Sequence, residues 1–355
     1  MKTTANIPQP QRFQNNLLAW YARAHRAMPW RDEAHSTPYH IWLAEIMLQQ
    51  TTVAAVIPYY HRFLARFPSV QSLAEAPIDD VLHLWQGLGY YRRAHLLHKC
   101  AQTVMQDYNG QFPASEFELL GLPGLGAYTA AVIAATAFNQ PANVVDGNVE
   151  RVVSRLFRIA NPLPAAKPEF RTKAGTLISH TEPRLYANAI MELGSQVCTP
   201  QNPQCLICPV SQDCQAFAHG DQTAYPVKTP KKTSPHHHAT AWLITDACGN
   251  LYLQQRPATG LLASLWELPH SGWEPKSQKG QPALEAPLPL INPTPAGAHT
   301  HTFTHFKLTL NLIRASTPQI PAANAFSPTG FPALSTLMRK AIEVATATSA
   351  LTRKT

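Results

Sequence analysis

Four of the six cysteines lie in one short segment, at a spacing typical of a metal centre. Cys198, Cys205, Cys208 and Cys214 form the pattern C-x6-C-x2-C-x5-C, whose short, unequal loops fold four thiolates around one compact centre. Zinc is the alternative on spacing alone, although zinc sites normally use two well-separated C-x2-C or H-x3-H pairs. The pattern therefore favours a cubane iron-sulfur cluster.

Glu45 is a carboxylic acid set among apolar side chains on a helix predicted over residues 39–50. Its neighbours three and four residues away are Ile41, Trp42, Leu48 and Gln49. Burial there raises the pKa of a carboxyl group, which is the property that a general acid needs at neutral pH. The alternative is an ion-paired structural carboxylate, but no Lys or Arg lies within one turn of Glu45.

Asp146 precedes a second predicted helix, residues 148–157, whose apolar face includes Val149, Val152 and Val153. This position predicts an N-cap, and the partial positive charge of a helix N-terminus favours the ionised carboxylate. One protonated and one ionised carboxyl group is the arrangement that breaks glycosidic bonds. The residues alone leave capping and catalysis both open for Asp146.

The segment Leu122-Pro-Gly-Leu-Gly126 joins two predicted helices through a turn with two glycines. Backbone N–H groups of such a turn, at a helix N-terminus, bind phosphate without a side-chain charge, and glycine lets the phosphate approach closely. We predict phosphate contacts at Gly124 and Gly126, with a plain turn between helices as the alternative.

Tyr90 and Tyr91 lie in the glycine-rich sequence Gly87-Leu-Gly-Tyr-Tyr-Arg-Arg93. Aromatic rings beside guanidinium groups suit stacking on bases and binding of phosphates. A helix start with two half-buried tyrosines explains the same residues equally well.

Apolar residues recur at helical spacing through residues 1–220, as they do from Ala94 to Tyr108. Further helices are predicted at residues 129–138, 171–179 and 184–197, without a strand pattern of comparable quality between them. The uncharged run at 119–145 is interrupted by glycine and proline, so it predicts a buried core helix and not a membrane span. This part is predicted to be an all-α domain.

The character of the sequence changes after a basic, proline-containing linker at residues 221–238. In residues 239–355, strand patterns flank a turn at 246–250, alternating leucines mark a strand near Leu310, and 333–344 predicts a helix. A proline-rich stretch at 274–295 separates the strand patterns. This second domain is predicted to be α+β. The triple histidine at 236–238 is interpreted as solvated linker and not as a metal site.

The charge of the chain favours a polyanionic partner. Its 355 residues include 29 Lys and Arg against 21 Asp and Glu, a net charge of +8. Nucleic acid and an acidic membrane surface both fit that charge. Residues 1–16 show no secretory signal, so we expect a cytoplasmic protein.

Six motifs occur in the order found in MutY-type adenine DNA glycosylases, which the chain resembles over nearly its whole length. They are Pro29-Trp-Arg31, Trp42-Leu-Ala-Glu-Ile-Met-Leu-Gln-Gln-Thr51, Gly87-Leu-Gly-Tyr-Tyr91, Leu122-Pro-Gly-Leu-Gly126, Val145-Asp-Gly-Asn-Val149 and the cysteine segment. The resemblance implies an all-α helix-hairpin-helix glycosylase domain with an iron-sulfur cluster loop, followed by an α+β Nudix-like C-terminal domain. It also implies one [4Fe-4S] cluster on the four cysteines.

The resemblance further implies hydrolysis of the N-glycosidic bond of an adenine flipped out of kinked duplex DNA. Glu45 matches the acid that protonates adenine N7, and Asp146 matches the carboxylate that stabilises and captures the oxocarbenium-like sugar. Tyr128 and Asn148 match residues that position these groups. Glycosylase-lyases such as endonuclease III have a lysine where Tyr128 stands, and tyrosine forms no Schiff base, so a monofunctional enzyme is expected.

Further residues match positions that contact the mispair in the family. Arg31 and Asn188 match the positions that recognise adenine, although some members have Glu or Gln at the second. The residues that match the wedge inserted around the oxidised guanine are Gln50, Thr51, Leu88 and Tyr90.

The second domain resembles the family's Nudix-like domain, which reads 8-oxoguanine through a Phe-Ser-His loop. The corresponding loop here is Phe303-Thr304-His305. Threonine keeps the hydroxyl but adds a methyl group, so we expect the affinity for 8-oxoguanine to differ. The glutamate-rich helix of Nudix hydrolases does not follow residues 260–273, so nucleotide hydrolysis is not expected.

The leading hypothesis is a monomeric base excision repair enzyme of the bacterial nucleoid. Its substrate is double-stranded DNA with adenine opposite 8-oxoguanine or guanine. An endonuclease III-like lyase on oxidised pyrimidines is the alternative enzyme, and it conflicts with Tyr128. A non-catalytic iron-sulfur DNA-binding protein is the alternative of another class, and it leaves the coexistence of Glu45 and Asp146 unexplained.

Overall fold

The computed structural model describes residues 8–32, 36–230, 233–272 and 286–352 of the 355-residue chain. These residues form two compact units. The first contains the described residues up to Glu75 and those from Lys99 to 230, and the second contains Ala76–His98 and the described residues from 233 onward. The sequence analysis placed residues 76–98 in the helical domain, so their packing with the second unit is a finding of the structure.

The first unit and Ala76–His98 are helical, in agreement with the sequence analysis. The helices are α1 (Pro10–Ala24), α2 (Pro38–Leu48), α3 (Val53–Arg66), α4 (Val70–Ala74), α5 (Ile78–Trp85), α6 (Arg92–Tyr108), α7 (Glu116–Leu120), α8 (Ala127–Phe138), α9 (Gly147–Leu156), α10 (Lys167–Gly175), α11 (Pro183–Gln196) and α12 (Gln215–His219). Short 3-10 turns lie at Pro29–Arg31, Cys205–Ile207, Ser211–Asp213 and Gln222–Ala224.

The core of the first unit is built around α2 and α8. Most residues of α2 are buried, and residues 129–136 of α8 are buried as well. A helix that is apolar on all sides is stable only when other helices surround it, and α8 packs against both α2 and α11. The prediction of a buried core helix in the uncharged run is confirmed.

The second unit combines the helical segment Ala76–His98 with strands and a closing helix. Its strands and its last helix are β1 (His236–Thr245), β2 (Leu251–Tyr252), β3 (Gln254–Gln255), β4 (Trp266–Glu267), β5 (Ile291–Thr302), β6 (Lys307–Ser316), β7 (Ala325–Phe326) and α13 (Thr336–Thr352). The larger sheet has the order β5-β6-β1-β2-β7, with β1 and β6 parallel and the other neighbours antiparallel. Leu308, Leu310 and Leu312 of β6 are buried in the core beneath α13, so the α+β prediction is confirmed.

Two segments differ from the sequence interpretation. The histidines at 236–238 are not linker, because they begin β1 and pair with Lys307–Thr309 of β6. Part of the proline-rich stretch is also a strand, since β5 begins at Ile291 and includes Pro295 opposite Ile313. Proline lacks the N–H that a central strand needs, but β5 is at the sheet edge, where proline is tolerated. Residues 274–285 of that stretch lie outside the described residues.

No helix in the described ranges has both the length and the apolar composition that crossing a membrane requires.

Candidate active site and iron-sulfur segment

Glu45 lies in the middle of α2, where other helices bury it. Only 8% of the residue is exposed, and the Tyr128 hydroxyl donates a hydrogen bond to its Oε2 across 2.8 Å. Burial raises the pKa of Glu45 to about 7, while the bond from Tyr128 and the charge of Arg31 oppose the rise. The predicted increase in the pKa is confirmed, so the carboxyl group is partly protonated near neutral pH.

Asp146 caps the N-terminus of α9, as its position in the sequence predicts. Its Oδ1 accepts hydrogen bonds from the backbone N–H groups of Asn148 (2.9 Å) and Val149 (2.7 Å), and its Oδ2 accepts one from Asn148 Nδ2 (2.8 Å). Burial nevertheless raises the pKa of Asp146 above its ordinary value, against the lowering effect of these bonds. The sequence analysis considered the helix terminus alone, and desolvation outweighs it.

Glu45, Tyr128 and Asp146 share one electrostatic environment, although they come from α2, α8 and the start of α9. Burial is the largest cause of the raised pKa of both Glu45 and Tyr128; the charge of Asp146 adds to the rise for Glu45, and the charges of both carboxylates add to it for Tyr128. Glu45 accepts a bond from one phenol, whereas Asp146 accepts three N–H bonds. This difference favours the proton on Glu45 and the charge on Asp146.

Asn148 connects Asp146 to α11 and to the iron-sulfur segment. Its Oδ1 accepts a hydrogen bond from Arg151 Nη2 at 2.9 Å, and Arg151 also donates to the carbonyls of Gly194 and Cys198, each at 2.6 Å. A Cβ atom at Gly194 would lie 2.7 Å from Asn148 Cβ. The close approach of α9 and α11, and with it the position of Asn148, therefore depends on glycine at residue 194.

Arg31 forms an ion pair with Glu192 of α11, with Nη1 and Oε2 3.0 Å apart. Burial disfavours ionisation of Glu192, but the hydrogen bonds and charges of Arg26 and Arg31 lower its pKa below the ordinary value. The sequence analysis missed Glu192, because its partners are more than 160 residues away. Asn188 lies one turn earlier on α11 and is partly exposed. Adenine recognition by Arg31 and Asn188 stays a prediction.

Gly124 and Gly126 lie in the turn between α7 and α8. Gly124 has a φ of 80°, which glycine adopts without strain, and Gly126 occupies the N-cap of α8. Both are exposed. The predicted turn between two helices is confirmed, and phosphate binding by the two glycines stays a prediction.

Gln50 and Thr51 follow the end of α2. Gln50 has a φ of 60° and is exposed, while the N–H of Thr51 donates to the carbonyl of Leu48 at 3.1 Å. A left-handed backbone is uncommon for a residue other than glycine, and such positions concentrate at functional sites. The turn presents Gln50 at the surface, and its insertion into DNA stays a prediction.

Leu88 and Tyr90 lie in the turn between α5 and α6, within the second unit. Leu88 is buried and Tyr90 is 47% exposed. Tyr91 is buried, and its hydroxyl donates to the carbonyl of Leu334 at 3.3 Å. The two tyrosines therefore differ: Tyr91 is a core residue, and Tyr90 presents its ring to solvent.

The loop Phe303-Thr304-His305 connects β5 to β6. The ring of Phe303 stacks on that of Phe306, with centroids 4.6 Å apart, so the loop is held tightly at its base. Thr304 and His305 are exposed at its tip. The Thr304 Oγ1 and Tyr90 Oη atoms are 3.0 Å apart and share a hydrogen bond. Tyr90, predicted to belong to the wedge around the oxidised guanine, and Thr304, predicted to belong to the loop that reads this base, are therefore in contact.

The four cysteines of the predicted cluster line one pocket: Cys198, Cys205, Cys208 and Cys214. Its empty space is about 300 Å³, including the part that opens to solvent. Arg155 reaches the pocket from α9 and donates to Cys198 Sγ at 3.3 Å. The fold thus gathers the end of α11, the following loop and the start of α12 around one space.

The donor set of this pocket, four cysteine thiols, fits an iron-sulfur cluster. Four thiolates on one zinc ion would lie about 3.8 Å apart, since each Zn–S bond is about 2.3 Å. A cubane instead needs one thiolate at each of four separate irons. When bound, it would cross-link the four cysteines of this segment.

Three parts of the chain match known protein families. Residues 43–174 match the HhH-GPD superfamily base excision DNA repair proteins, and residues 198–214 match the iron-sulfur binding domain of endonuclease III. Residues 240–344 match the NUDIX domain.

Several curated relatives extend over most of the chain. It is 36% identical to the adenine DNA glycosylase of Mus musculus, over 88% of this chain and 72% of that protein. Identity to the adenine DNA glycosylase of Homo sapiens is 35%, over 96% of this chain and 75% of that protein. The chain belongs to the adenine DNA glycosylase family. This adenine DNA glycosylase is a base excision repair enzyme that hydrolyses an N-glycosyl bond, and it holds a [4Fe-4S] cluster.

Solved structures of DNA repair enzymes share the helical fold of this chain. A thermostable thymine-DNA glycosylase superposes with a TM-score of 0.54 at 27% identity, covering 59% of this chain and 97% of that one. Endonuclease III in a non-covalent DNA complex gives 0.51 at 25% identity, covering 60% and 98%. The helical fold and the binding of DNA are thereby supported.

Proposed function

We propose that this adenine DNA glycosylase removes adenine mispaired with 8-oxoguanine or guanine and leaves an abasic site. The observation that carries the proposal is a pair of buried carboxyl groups with contrasting hydrogen bonds. Glu45 accepts its bond from a phenol, and Asp146 accepts three from N–H groups. All of these groups come from one chain, so the proposal needs no second copy.

Glu45 acts as the general acid. With a pKa of about 7 it keeps a substantial protonated fraction at neutral pH. Transfer of that proton to N7 of adenine makes the base a better leaving group. The hydrogen bond from Tyr128 fixes the orientation of the carboxyl group while the proton is transferred.

Asp146 acts on the sugar. As adenine leaves, positive charge develops at the anomeric carbon, and a carboxylate held in place either stabilises that charge or forms a bond to the carbon before water attacks. The N-cap hydrogen bonds fix both oxygens of Asp146, and Asn148 provides two of the three donors.

The product is an abasic site and not a nicked strand. A lyase forms a Schiff base between a lysine amine and the sugar, and residue 128 is a tyrosine whose hydroxyl already donates to Glu45. This argues against the endonuclease III-like alternative.

The remaining predicted residues bind the DNA around the reacting nucleotide. In the proposal, Arg31 and Asn188 contact adenine, and the backbone N–H groups of the exposed residues Gly124 and Gly126 bind phosphate. The residues that occupy the duplex around the unpaired base are Gln50, Thr51, Leu88 and Tyr90.

Recognition of the opposite base rests on the contact between Tyr90 and Thr304. The hydroxyl groups of these two exposed residues, 3.0 Å apart, offer both donors and acceptors to the edge of a base. Phe303 and His305 flank Thr304, and the stacking of Phe303 on Phe306 fixes the loop. The Thr304 methyl group adds bulk where the family has serine.

The experiment is a single-turnover assay on duplexes with adenine opposite 8-oxoguanine, guanine or thymine, with and without alkali. We expect adenine release at the first two, and strand cleavage that requires alkali. Cleavage without alkali would support the lyase alternative. Release that is independent of the opposite base would contradict the mispair assignment.

The opposite-base assignment has its own variants. Thr304→Ala and Tyr90→Phe are expected to weaken binding of duplexes with 8-oxoguanine more than of duplexes with guanine. Thr302→Ala, an exposed threonine in β5, is the matched control. If the variants weaken binding of both duplexes equally, there is no reason to assign these hydroxyl groups to the oxidised base.

A further inference from the structure

The N-terminal helix α1 contacts the iron-sulfur segment near both ends of that segment. Gln196, two residues before Cys198, donates its side-chain N–H to the carbonyl of Ala24 at the end of α1, at 3.2 Å. Near the start of α1, the Arg12 guanidinium forms a salt bridge with Asp213, which precedes Cys214. One helix therefore spans the stretch that carries all four cysteines.

The salt bridge joins two side chains that differ in exposure. The Asp213 side chain is 0% exposed, whereas that of Arg12 is 36% exposed. Among the described residues, neither Asp213 Oδ2 nor Arg12 Nε has a hydrogen-bond partner. A buried carboxylate that loses its cation is strongly destabilised, whereas a partly exposed guanidinium can turn to water. Asp213 therefore depends on Arg12 more than Arg12 depends on Asp213.

Helix α1 is held in place independently of this contact. Phe13 and Leu17 are fully buried, and Gln14 donates to the carbonyls of Leu177 and Ile178 at 3.1 and 3.0 Å. Of the two segments that the Arg12–Asp213 salt bridge joins, α1 is therefore the one that is held in place by other contacts. Loss of the pair would release the short 3-10 turn before Cys214 and leave α1 where it is.

We propose that Arg12 is a positioning residue for the iron-sulfur cluster. Through Asp213, it holds the turn Ser211–Asp213 and so keeps the Cys214 thiolate at the cluster. The inference goes beyond the proposed function, because neither residue takes part in adenine release. It predicts that the salt bridge between Arg12 and Asp213 slows the loss of the cluster, so that removing Arg12 makes the loss faster.

The test compares Arg12→Gln, Asp213→Asn and the double variant with the parent protein. Arg23→Gln is the matched control, since Arg23 is an exposed arginine of α1 that donates to the carbonyl of Ala19 in the same helix. Iron per chain and the decay of the visible absorbance of the cluster under a chelator are measured on the full chain. We expect Arg12→Gln to lose its cluster at least about tenfold faster than the control. Asp213→Asn should have a smaller effect.

The double variant distinguishes this role from general destabilisation. Once Asp213 is replaced by the neutral Asn, the change Arg12→Gln should add almost nothing to the rate of cluster loss. Equal rates for Arg12→Gln and Arg23→Gln would overturn the proposal. So would an Arg12→Gln effect of the same size with and without Asp213. If Arg12→Gln alone fails to fold, the rates of cluster loss of Asp213→Asn and of the double variant decide. Equal rates support the proposal, and a faster loss in the double variant contradicts it.

Discussion

Tyr128 and Glu45 are joined by a hydrogen bond in which the phenol donates to Oε2 across 2.8 Å. The bond connects α8 to α2, and it opposes the effect of burial on the pKa of Glu45. Tyr128 therefore sets the pH range over which Glu45 keeps its proton, in addition to orienting the carboxyl group.

The variant Tyr128→Phe removes a donor that stabilises the ionised form of Glu45, so the pKa of Glu45 rises above about 7. A general acid works when protonated, and the rate of adenine release therefore falls as pH rises through this pKa. We expect the fall to move to higher pH in the variant. Single-turnover rates from neutral to alkaline pH give the midpoint of this fall. The midpoint tests the prediction even if the maximal rate of the variant is lower. A midpoint at lower pH would contradict the assignment.

Glu45 is also expected to reduce stability at neutral and alkaline pH. Its folded-state pKa of about 7 lies above the ordinary value of 4.5, a difference worth about 3 kcal/mol. Because the folded state binds the proton more tightly, this cost is absent below about pH 4.5, grows as pH rises, and is complete above about pH 7.

The variant Glu45→Gln has no such cost. Its free energy of unfolding should exceed that of the parent by about 3 kcal/mol above pH 7, and the advantage should shrink as pH falls toward 5. Urea unfolding at several pH values measures it. An advantage that does not change with pH would show that desolvation of the charge is not its origin.

Asp146→Asn separates capping from chemistry. Asparagine caps a helix as well as aspartate does, so unfolding free energy should change by less than about 1 kcal/mol. Adenine release should nevertheless fall by about 10³-fold or more, because the amide carries no charge to stabilise the sugar cation. Single-turnover rates and urea unfolding of the same preparation test both halves. A fall in rate that is fully accounted for by a matching loss of folded protein would reduce Asp146 to a structural cap.

Gly194→Ala places a methyl group 2.7 Å from Asn148 Cβ and 3.0 Å from its backbone carbonyl. The two helices must separate, which is expected to cost about 1–3 kcal/mol of stability. Adenine release should fall as well, since Asn148 holds Asp146. Gly147→Ala adds the same group into open space and is the stability control. Equal stabilities of the two variants would contradict the packing argument.

Local patterns predicted much of the fold. The run at 119–145 indicated a buried helix because glycine and proline mark its ends, and the alternation at Leu308 and Leu310 indicated β6. β5 was missed, since its prolines are typical of loops and its place at the sheet edge is set by β6. The strand character of His236 was missed for a similar reason, because it depends on pairing with Lys307, 71 residues later.

The site was predicted best where the residues that determine a property lie within one helix. The cap at Asp146 and the burial of Glu45 follow from neighbouring residues. The net effect of burial on Asp146 does not, because it depends on helices that are distant in the sequence. Glu192 was missed for the same reason, because its role depends on ion pairs with Arg26 and Arg31, which are distant in the sequence.

Helix α6 has consequences for attempts to dissect the protein into fragments. Its residues up to His98 belong to the second unit and those from Lys99 to the first. Within the second unit, Tyr91 and His95 bond to the backbone of Leu334 and Ala263 at 3.3 and 3.2 Å. A truncated chain that stops in the linker would keep these two side chains but lack their acceptors. Such a fragment therefore lacks hydrogen bonds that the full chain has. Its activity would be lower than that of the same region in the full chain.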